Sequence, residues 1–322
     1  MSDELTAALA DFKVEEPPKS LFRFYRSELV STLQRGRLNL TPPHCFNDPF
    51  EMWAGIKIDA LQEEDVLRSV RAKTGLFRAA LLANNPLLVT NEDQYVAKIT
   101  AVVKTRPDLA GEHFQTMVDA IRHSCFTQFG VVCFSGFDSD MMSGPVGIRH
   151  WSMYGDCHRG FALEYDGHHH FFQKWANIKW LFPVQYLTER MLVSLSEFDV
   201  WDDAKMWKTF RAWSAMKSAE AWGHEFEWRI VCPLGAKGAS VIEKNEAGEE
   251  REYLRLWRED QSNDEQEAGA RAIRRVILGL AARKETKDAI LSAAKDPKLA
   301  HVEIWQARAC RSKFALVFER LH

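Results

Sequence analysis

The sequence predicts an α+β fold with a mixed, mainly antiparallel sheet and one helical insertion. Short segments with the composition and period-two alternation of strands recur along the 322-residue chain. Residues 59–127 instead carry apolar residues near a 3.6-residue spacing, which is typical of helices. A turn signal at 245–248 predicts a hairpin, which joins antiparallel strands. Together these observations favour α+β.

We expect residues 1–20 to form an N-terminal lead-in and 21–322 to form a single domain that contains the insertion at about 59–127. A helix is predicted at 27–34, where Gly36 ends it, and a glycine-rich loop at 143–147. Later helices are predicted at 202–223 and 285–294. The predicted strands are 21–25, 37–40, 129–135, 160–165, 183–186, 225–232, 275–278, 302–309 and 314–318.

Composition excludes several classes of protein. Lys and Arg number 42 against 45 Asp and Glu, a net charge of −3, so bulk positive charge cannot drive nucleic-acid binding, although a local basic groove is compatible. The six cysteines lack C-x-x-C spacing and do not predict a disulfide framework or a zinc ribbon. Without a secretory leader or a long apolar run, we expect a cytoplasmic protein that does not contact membranes.

The first candidate site residues lie on the first predicted strand. Strand alternation places Arg23 and Tyr25 on one face, with Phe22 and Phe24 on the other. Arg23 then supplies donors for a phosphate or carboxylate. The alternative is an exposed arginine on an edge strand.

The second candidate is the turn F-N-D-P-F-E at 46–51. Asp48 before a proline at the first helical position would cap a helix and point backbone N–H groups, with Asn47 beside them, toward an anion. A simple helix cap explains Asp48 equally well but explains Asn47 less well.

The third candidate follows the C-F-S strand. Trp151 and Tyr154 are three residues apart, so a helical turn would place both rings on one side, where they could sandwich a flat heterocycle. Packing in the core is the commoner role of such rings. His158 could serve a site or a turn, and the sequence leaves both open.

The fourth candidate is E-x-E-x-R on a predicted strand. A period of two places Glu225, Glu227 and Arg229 on one face, opposite an aromatic face. Two neighbouring carboxylates shift each other's pKa, and an adjacent arginine holds one of them ionised. Such a pair can stabilise an electron-deficient sugar carbon and orient a nucleophile. A half-exposed strand would have the same pattern.

Other catalytic signatures are missing from the sequence. The histidines at 168–170 are contiguous and lack metal-ligand spacing, so no metal site is expected. No Walker loop, no dinucleotide fingerprint after a strand and no nucleophile elbow occur. These absences argue against Walker-type hydrolysis, Rossmann dehydrogenation and an α/β-hydrolase.

The order of these motifs resembles a widespread, mostly bacterial family of proteins of unknown function. The resemblance runs from about residue 21 to 318, and its most specific parts are F-N-D-P-F-E and W-x-x-E-x-E-x-R. The matching residues here are 22–25, 46–51, 133–135, Trp151, Tyr154, His158, Gly160, Trp222, Glu225, Glu227, Arg229 and 276–279.

The chain also resembles, more distantly, the ADP-ribosyltransferases, which implies a transferase that uses NAD as a substrate and needs no metal. In that resemblance Arg23 clamps the pyrophosphate, while Ser135 and Tyr154 form the middle of the site, with Tyr154 stacking on nicotinamide. Glu227 stabilises the ribosyl carbon and Glu225 activates the acceptor, or the two exchange roles. The residues expected to contact NAD are Arg23, Tyr25, Asn47, Asp48, Ser135, Trp151, Tyr154, His158 and Arg229.

The resemblance further implies a toxin or antiviral-defence effector that modifies nucleic acid or protein, with an antitoxin or defence-system protein as partner. One alternative is a Mg²⁺-dependent nuclease that uses Asp48, Glu51, Glu225 and Glu227 as oxygen ligands. Another is a non-catalytic binding module, in which Arg23 and Glu227 would lie far apart or be buried in unrelated places.

Overall fold

The computed structural model describes the following residues: 12–48, 50–52, 55–57, 91–106, 108–109, 112, 116, 119, 127–194, 211–235, 240–245 and 247–321. The chain divides into two compact units. Unit 1 comprises Met1–Lys13, Pro42–Phe129 and Gln185–Glu220, and unit 2 comprises Val14–Thr41, Gly130–Val184 and Ala221–His322.

The strands of the described residues are β1 (Ser20–Tyr25), β2 (Arg37–Asn39), β3 (Gly55–Lys57), β4 (Phe129–Ser135), β5 (Phe161–Asp166), β6 (Leu181–Pro183), β7 (Gln185–Leu187), β8 (Leu192–Ser194), β9 (Met216–Ser218), β10 (Glu227–Pro233), β11 (Val241–Lys244), β12 (Glu250–Arg255), β13 (Ile273–Leu278), β14 (Glu303–Ala309) and β15 (Leu316–Arg320). The helices are α1 (Ser31–Arg35), α2 (Glu92–Thr105), α3 (Ser139–Ser143), α4 (Pro145–Met153), α5 (His170–Asn177), α6 (Ala219–Trp222), α7 (Asn263–Ala270) and α8 (Lys284–Ala293). Short 3₁₀ turns occupy Ser27–Leu29, Pro43–Cys45 and Pro297–Leu299. Of the helices in these ranges, none combines the length and the hydrophobicity needed to cross a bilayer.

The predicted α+β class is confirmed by an eight-stranded sheet in unit 2, with the strand order β15-β14-β13-β5-β1-β4-β10-β6. The sheet is mixed and mainly antiparallel, because β13 and β14 run parallel while β1 is antiparallel to both β4 and β5. The predicted hairpin is confirmed: β11 and β12 pair on either side of the turn and continue onto β2 as a second, three-stranded sheet.

Unit 1 contains two small parallel pairs, β3 with β8 and β7 with β9. The described part of the predicted helical insertion includes α2, which begins where the Asn91 side chain accepts a hydrogen bond from the backbone N–H of Gln94 at 3.1 Å. This is the capping role in which asparagine is favoured. Of the insertion, residues 59–90, 107, 110–111, 113–115, 117–118 and 120–126 lie outside the described residues.

The large sheet is covered by aromatic side chains on both faces. On one face Phe22 stacks on Phe137, with ring centroids 5.2 Å apart, and both belong to a buried cluster that includes Trp151. On the other face the hydroxyls of Tyr25 and Tyr165 are hydrogen-bonded at 2.8 Å. Aromatic pairs of this kind add to the stability that burial provides.

Two predicted elements differ in type from the structure, and the helix predicted at 27–34 is divided into the 3₁₀ turn Ser27–Leu29 and α1. The glycine-rich loop at 143–147 is the junction of two helices, since α3 ends at Ser143 and Pro145 begins α4. Gly147 is helical, and a Cβ there would lie 1.9 Å from the Met142 carbonyl oxygen, so glycine permits the close approach. The described part of the helix predicted at 202–223 is interrupted by β9, which pairs with β7.

Candidate active site

Three neighbouring strands carry the residues expected to form the site. In the large sheet β4 lies between β1 and β10, and these strands carry Ser135, Arg23 and Glu227 respectively. Neighbouring strands lie about 4.8 Å apart, so the axes of β1 and β10 are roughly 10 Å apart where the three strands pair. Three residues that are far apart in the sequence therefore lie on three neighbouring strands.

Arg23 lies beside a fork in the sheet. β1 pairs with β4 at Phe22 and Ser135, whereas farther along β4 it is Thr41 that bridges to Val131. The Arg23 Nη1 donates to the Cys133 carbonyl and its Nη2 to the Asn39 carbonyl, both at 3.5 Å. These long bonds give Arg23 a role in holding main-chain carbonyls at the fork, which the sequence did not indicate.

The expected common face of Arg23 and Tyr25 is present, but Tyr25 lies in the core and not in an open cleft. It is 5% exposed, and burial raises the pKa of its hydroxyl. The Arg23 guanidinium carbon lies 5.6 Å from the centre of the Tyr25 ring. Tyr25 is therefore a core residue whose ring lies beside the Arg23 guanidinium.

Ser135 faces the opposite side of the sheet from Arg23. Directly opposed residues of an antiparallel pair project their side chains to the same face, and Ser135 is opposite Phe22. Arg23 follows Phe22, so it projects to the other face. The two residues do not approach a ligand from the same side of β1 and β4.

Tyr154 and Glu225 are brought together by the end of α4 and the segment before β10. The Tyr154 hydroxyl donates a short hydrogen bond to Glu225 Oε1. Glu225 is 4% exposed, and its backbone N–H donates to the Trp222 carbonyl at 2.9 Å, which fixes the turn after α6. A hydroxyl bonded to a buried carboxylate is a charge-assisted interaction of the stronger kind.

The alternation expected for E-x-E-x-R is broken at Phe226, so the prediction of one regular face is wrong. Phe226 has a φ of 50°, a left-handed conformation that is uncommon for a bulky residue, and β10 begins only at Glu227. The Phe226 carbonyl accepts a hydrogen bond from the Gly136 N–H at 2.8 Å, which ties the kink to the end of β4. The two glutamates consequently have different partners.

Glu227 is paired with Arg229 in a buried, two-point contact. Arg229 Nε donates to Oε1 at 2.8 Å and Nη2 donates to Oε2 at 3.1 Å. Glu227 is 5% exposed and Arg229 is completely buried. The planar guanidinium matches a carboxylate in this geometry and favours its ionised form.

Trp151 does not offer a stacking face. It is fully buried, with its ring edge-on to Phe24 at 5.0 Å and stacked with His158 at 6.3 Å. The expectation that Trp151 and Tyr154 sandwich a heterocycle is therefore corrected: Trp151 is a core residue, and Tyr154 is directed to Glu225.

His158 ends a run of three residues with positive φ, 53° at Asp156, 51° at Cys157 and 67° at His158. Its carbonyl accepts from the Ala281 N–H at 2.9 Å, and burial lowers the pKa of its ring. Such conformations cost on the order of 1–3 kcal/mol each and often occur at ligand-binding loops.

His150 is a buried residue of this region that the sequence reasoning missed. Its Nδ1 is 2.9 Å from the Val146 carbonyl, which can only accept, so Nδ1 carries the hydrogen and the neutral ring presents Nε2 as an acceptor. Burial lowers its pKa, opposed by that hydrogen bond and by the charge of Glu225. Its ring centroid lies 5.8 Å from that of Tyr154. The i, i+4 spacing of His150 and Tyr154 on one helix was the signal available.

Asn47 and Asp48 belong to unit 1 and are described with it. Asn47 is exposed, and Asp48 Oδ1 accepts from the Phe50 N–H at 2.8 Å. Residues 50–52 form a turn, which corrects the predicted helix start, and Pro49 lies outside the described residues. In the same unit Glu51 Oε2 lies 3.8 Å from Lys217 Nζ. Within the described ranges, no group of three or more His, Cys, Asp or Glu is placed to hold a metal ion.

In comparisons with known proteins, no protein-family model, no curated protein and no solved structure matches the chain.

Proposed function

We propose that the protein transfers ADP-ribose from NAD and that Glu225 and Glu227 carry the reaction. The observation that supports this most is the arrangement of these two buried carboxylates, one bonded to Tyr154 and the other to Arg229. Charges act strongly where water is excluded, and stabilising a positive sugar carbon requires a fixed anion.

In the proposed reaction the bond between C1′ of the nicotinamide ribose and the pyridinium nitrogen breaks. The bonding electron pair leaves with neutral nicotinamide, and positive charge develops on C1′. Glu227, held ionised by Arg229, stabilises this carbon. An acceptor oxygen or nitrogen then bonds to C1′, and its proton passes to the Glu225 carboxylate. Tyr154 orients Glu225 through its hydrogen bond.

The position of Arg23 restricts the proposed site to the two glutamates and their partners. Arg23 lies on β1, two strands from β10, but it projects to the face of the sheet opposite Phe24, whereas His150 and Tyr154 pack on the Phe24 face, so the proposed site does not include Arg23. The resemblance to ADP-ribosyltransferases supports these roles for Glu225 and Glu227, and the acceptor is a group on nucleic acid or protein.

The test is release of nicotinamide from NAD by the purified protein, by Glu225→Gln and by a matched control. Glu250→Gln is suitable as a control because Glu250 is exposed on β12. We expect Glu225→Gln to lose NAD turnover, whereas the wild type and Glu250→Gln keep it. Equal NAD turnover in Glu225→Gln and the wild type would refute the proposed function. Cleavage of RNA or DNA with Mg²⁺ and without NAD would favour a nuclease instead.

A further inference from the structure

Unit 2 contains a cavity of about 850 Å³ that lies outside the Glu225 site. Its volume falls within the range of about 300–1,000 Å³ that is usual for small-molecule pockets. We call it the arginine cavity, because its nitrogen-bearing side chains are Lys19, Arg271, Arg274, Arg275 and His301.

A smaller pocket of about 240 Å³ adjoins the arginine cavity, since Ser139 and Arg275 line both. We call it the aromatic pocket, because Phe22, Trp305 and Phe318 line it. A polar, basic space thus continues into an apolar space with aromatic walls. A ligand that fits both has an anionic part and a flat, largely apolar part.

Arg275 stands where the two spaces meet. Its Nε donates to Oε2 of Glu164, and its guanidinium carbon lies 5.6 Å from the centre of the Trp305 ring. Glu164 is 3% exposed and also accepts from the Ser20 hydroxyl at 2.6 Å. The buried carboxylate therefore fixes the guanidinium before any ligand arrives, which lowers the cost of ordering it on binding.

Arg271 and Arg274 also form ion pairs, and each guanidinium has more N–H donors than its carboxylate partner accepts. Arg274 lies 3.0 Å from Asp166 and Arg271 lies 2.6 Å from Glu267. A guanidinium has five N–H donors, and one carboxylate accepts two of them in a bidentate contact. The remaining donors suit a phosphate.

Acidic side chains also line the arginine cavity, and they limit what it can bind. Asp138 and Glu303 are both on its wall, although Glu303 is already 3.0 Å from Arg320. This mixed charge favours a small anion with hydroxyl groups over a polyanion. Carboxylates accept hydrogen bonds from sugar hydroxyls, whereas they repel a continuous phosphate backbone.

We propose that the arginine cavity and the aromatic pocket together bind a nucleoside phosphate, with the phosphate on Arg271, Arg274 and Arg275 and the base against Trp305 and Phe318. None of these residues belongs to the proposed catalytic site, so this inference goes beyond the proposed function and does not rest on it.

The test is isothermal titration with ADP, GDP, CDP and UDP at low ionic strength, with adenosine and inorganic phosphate as the separate halves of ADP. The variants are Arg271→Gln/Arg274→Gln for the phosphate part and Trp305→Leu for the base part. Arg308→Gln is the matched control, because Arg308 is an exposed arginine on β14, paired with Glu319 at 3.1 Å, that does not line the cavity.

We expect at least one diphosphate to bind more tightly than either half, and the arginine double variant to weaken it by about tenfold or more while the control leaves it unchanged. Glu225→Gln should keep this binding even if it abolishes NAD turnover, which separates the two proposals. Failure of all four diphosphates to bind, or equal affinity in the wild type and the arginine double variant, would overturn the inference. If Trp305→Leu does not fold, the double variant at the exposed Arg271 and the half-buried Arg274 still decides the test.

Discussion

The hydroxyl of Tyr154 donates a hydrogen bond to Oε1 of Glu225, and this bond joins the end of α4 to the segment before β10. Because Glu225 is buried, its carboxylate depends on donors from the protein in place of water. The bond thus links the stability of the region to the group proposed to accept the proton.

A double-mutant cycle on this pair should show coupling. Tyr154→Phe removes a donor from a buried carboxylate and should cost about 1–3 kcal/mol of unfolding free energy. In a Glu225→Gln background the same change should cost less, with a coupling energy of at least about 0.5 kcal/mol. Urea denaturation of the four proteins measures it, and additive effects would show that the bond does not contribute.

Removing one member of the Glu227–Arg229 pair should lower the unfolding free energy more than replacing both members with apolar residues. Glu227→Gln or Arg229→Met alone removes one charge of a buried pair, which should cost about 3–5 kcal/mol, whereas the double variant Glu227→Leu/Arg229→Met should cost less than either. As a control, Arg308→Gln breaks an exposed pair and should change stability by about 0–1 kcal/mol. Chemical denaturation measures the unfolding free energy of each variant. Single variants as stable as Arg308→Gln would contradict a stabilising role for the buried pair.

The left-handed conformation at Phe226 predicts an unusual order of substitutions. Phe226→Gly should change stability by less than about 1 kcal/mol in either direction, because the relief of the left-handed conformation offsets the lost burial of a ring that is 42% exposed. Phe226→Val should destabilise the protein, because a branched Cβ is poorly accommodated there. Thermal unfolding ranks the variants, with Phe314→Gly, at an exposed residue without positive φ, as the control. A more stable valine variant would contradict the kink.

His150 should make stability depend on pH. Its pKa is lowered in the folded protein, mainly by burial, so the unfolded chain takes up a proton more readily. Stability is therefore full above the unfolded pKa of about 6.5 and declines as the pH falls below it, by about 1.4 kcal/mol per unit of pKa difference. Denaturation midpoints from about pH 7.5 to about pH 5.5 measure the decline.

The neighbours that face His150 are Tyr154, His224, Glu225 and the Val146 carbonyl, together with the rings of Phe24 and Phe137. His158 and His169 also have pKa values lowered by burial, so they contribute to the decline. The variant His150→Gln removes the contribution of His150, so its stability should depend less steeply on pH than that of the wild type. The same slope in wild type and variant would contradict the assignment.

Much of the fold could be predicted because local patterns and tertiary packing agree. The C-terminal elements α8 and β14 lie within about one residue of their predicted bounds, since alternation and helical spacing there match the buried faces. β9 was missed because it is short and lies in a helix-like sequence, and only its pairing with β7 makes it a strand.

The site was less predictable than the fold because its geometry departs from regular structure. Nothing in the side chain of Phe226 signals a positive φ, so the sequence pattern of Glu225, Glu227 and Arg229 implied a regular face. Trp151 was assigned to a ligand on spacing alone, whereas burial assigns it to the core. The role of Arg23 depends on where β1 and β4 part, which is a non-local feature.

A crystal structure of Glu225→Gln with NAD soaked at saturating concentration tests the proposed catalytic site most directly. We expect electron density for the nicotinamide ribose beside residues 225 and 227 and the Tyr154 hydroxyl. NAD found only in the arginine cavity, or no bound NAD, would contradict the proposed catalytic site.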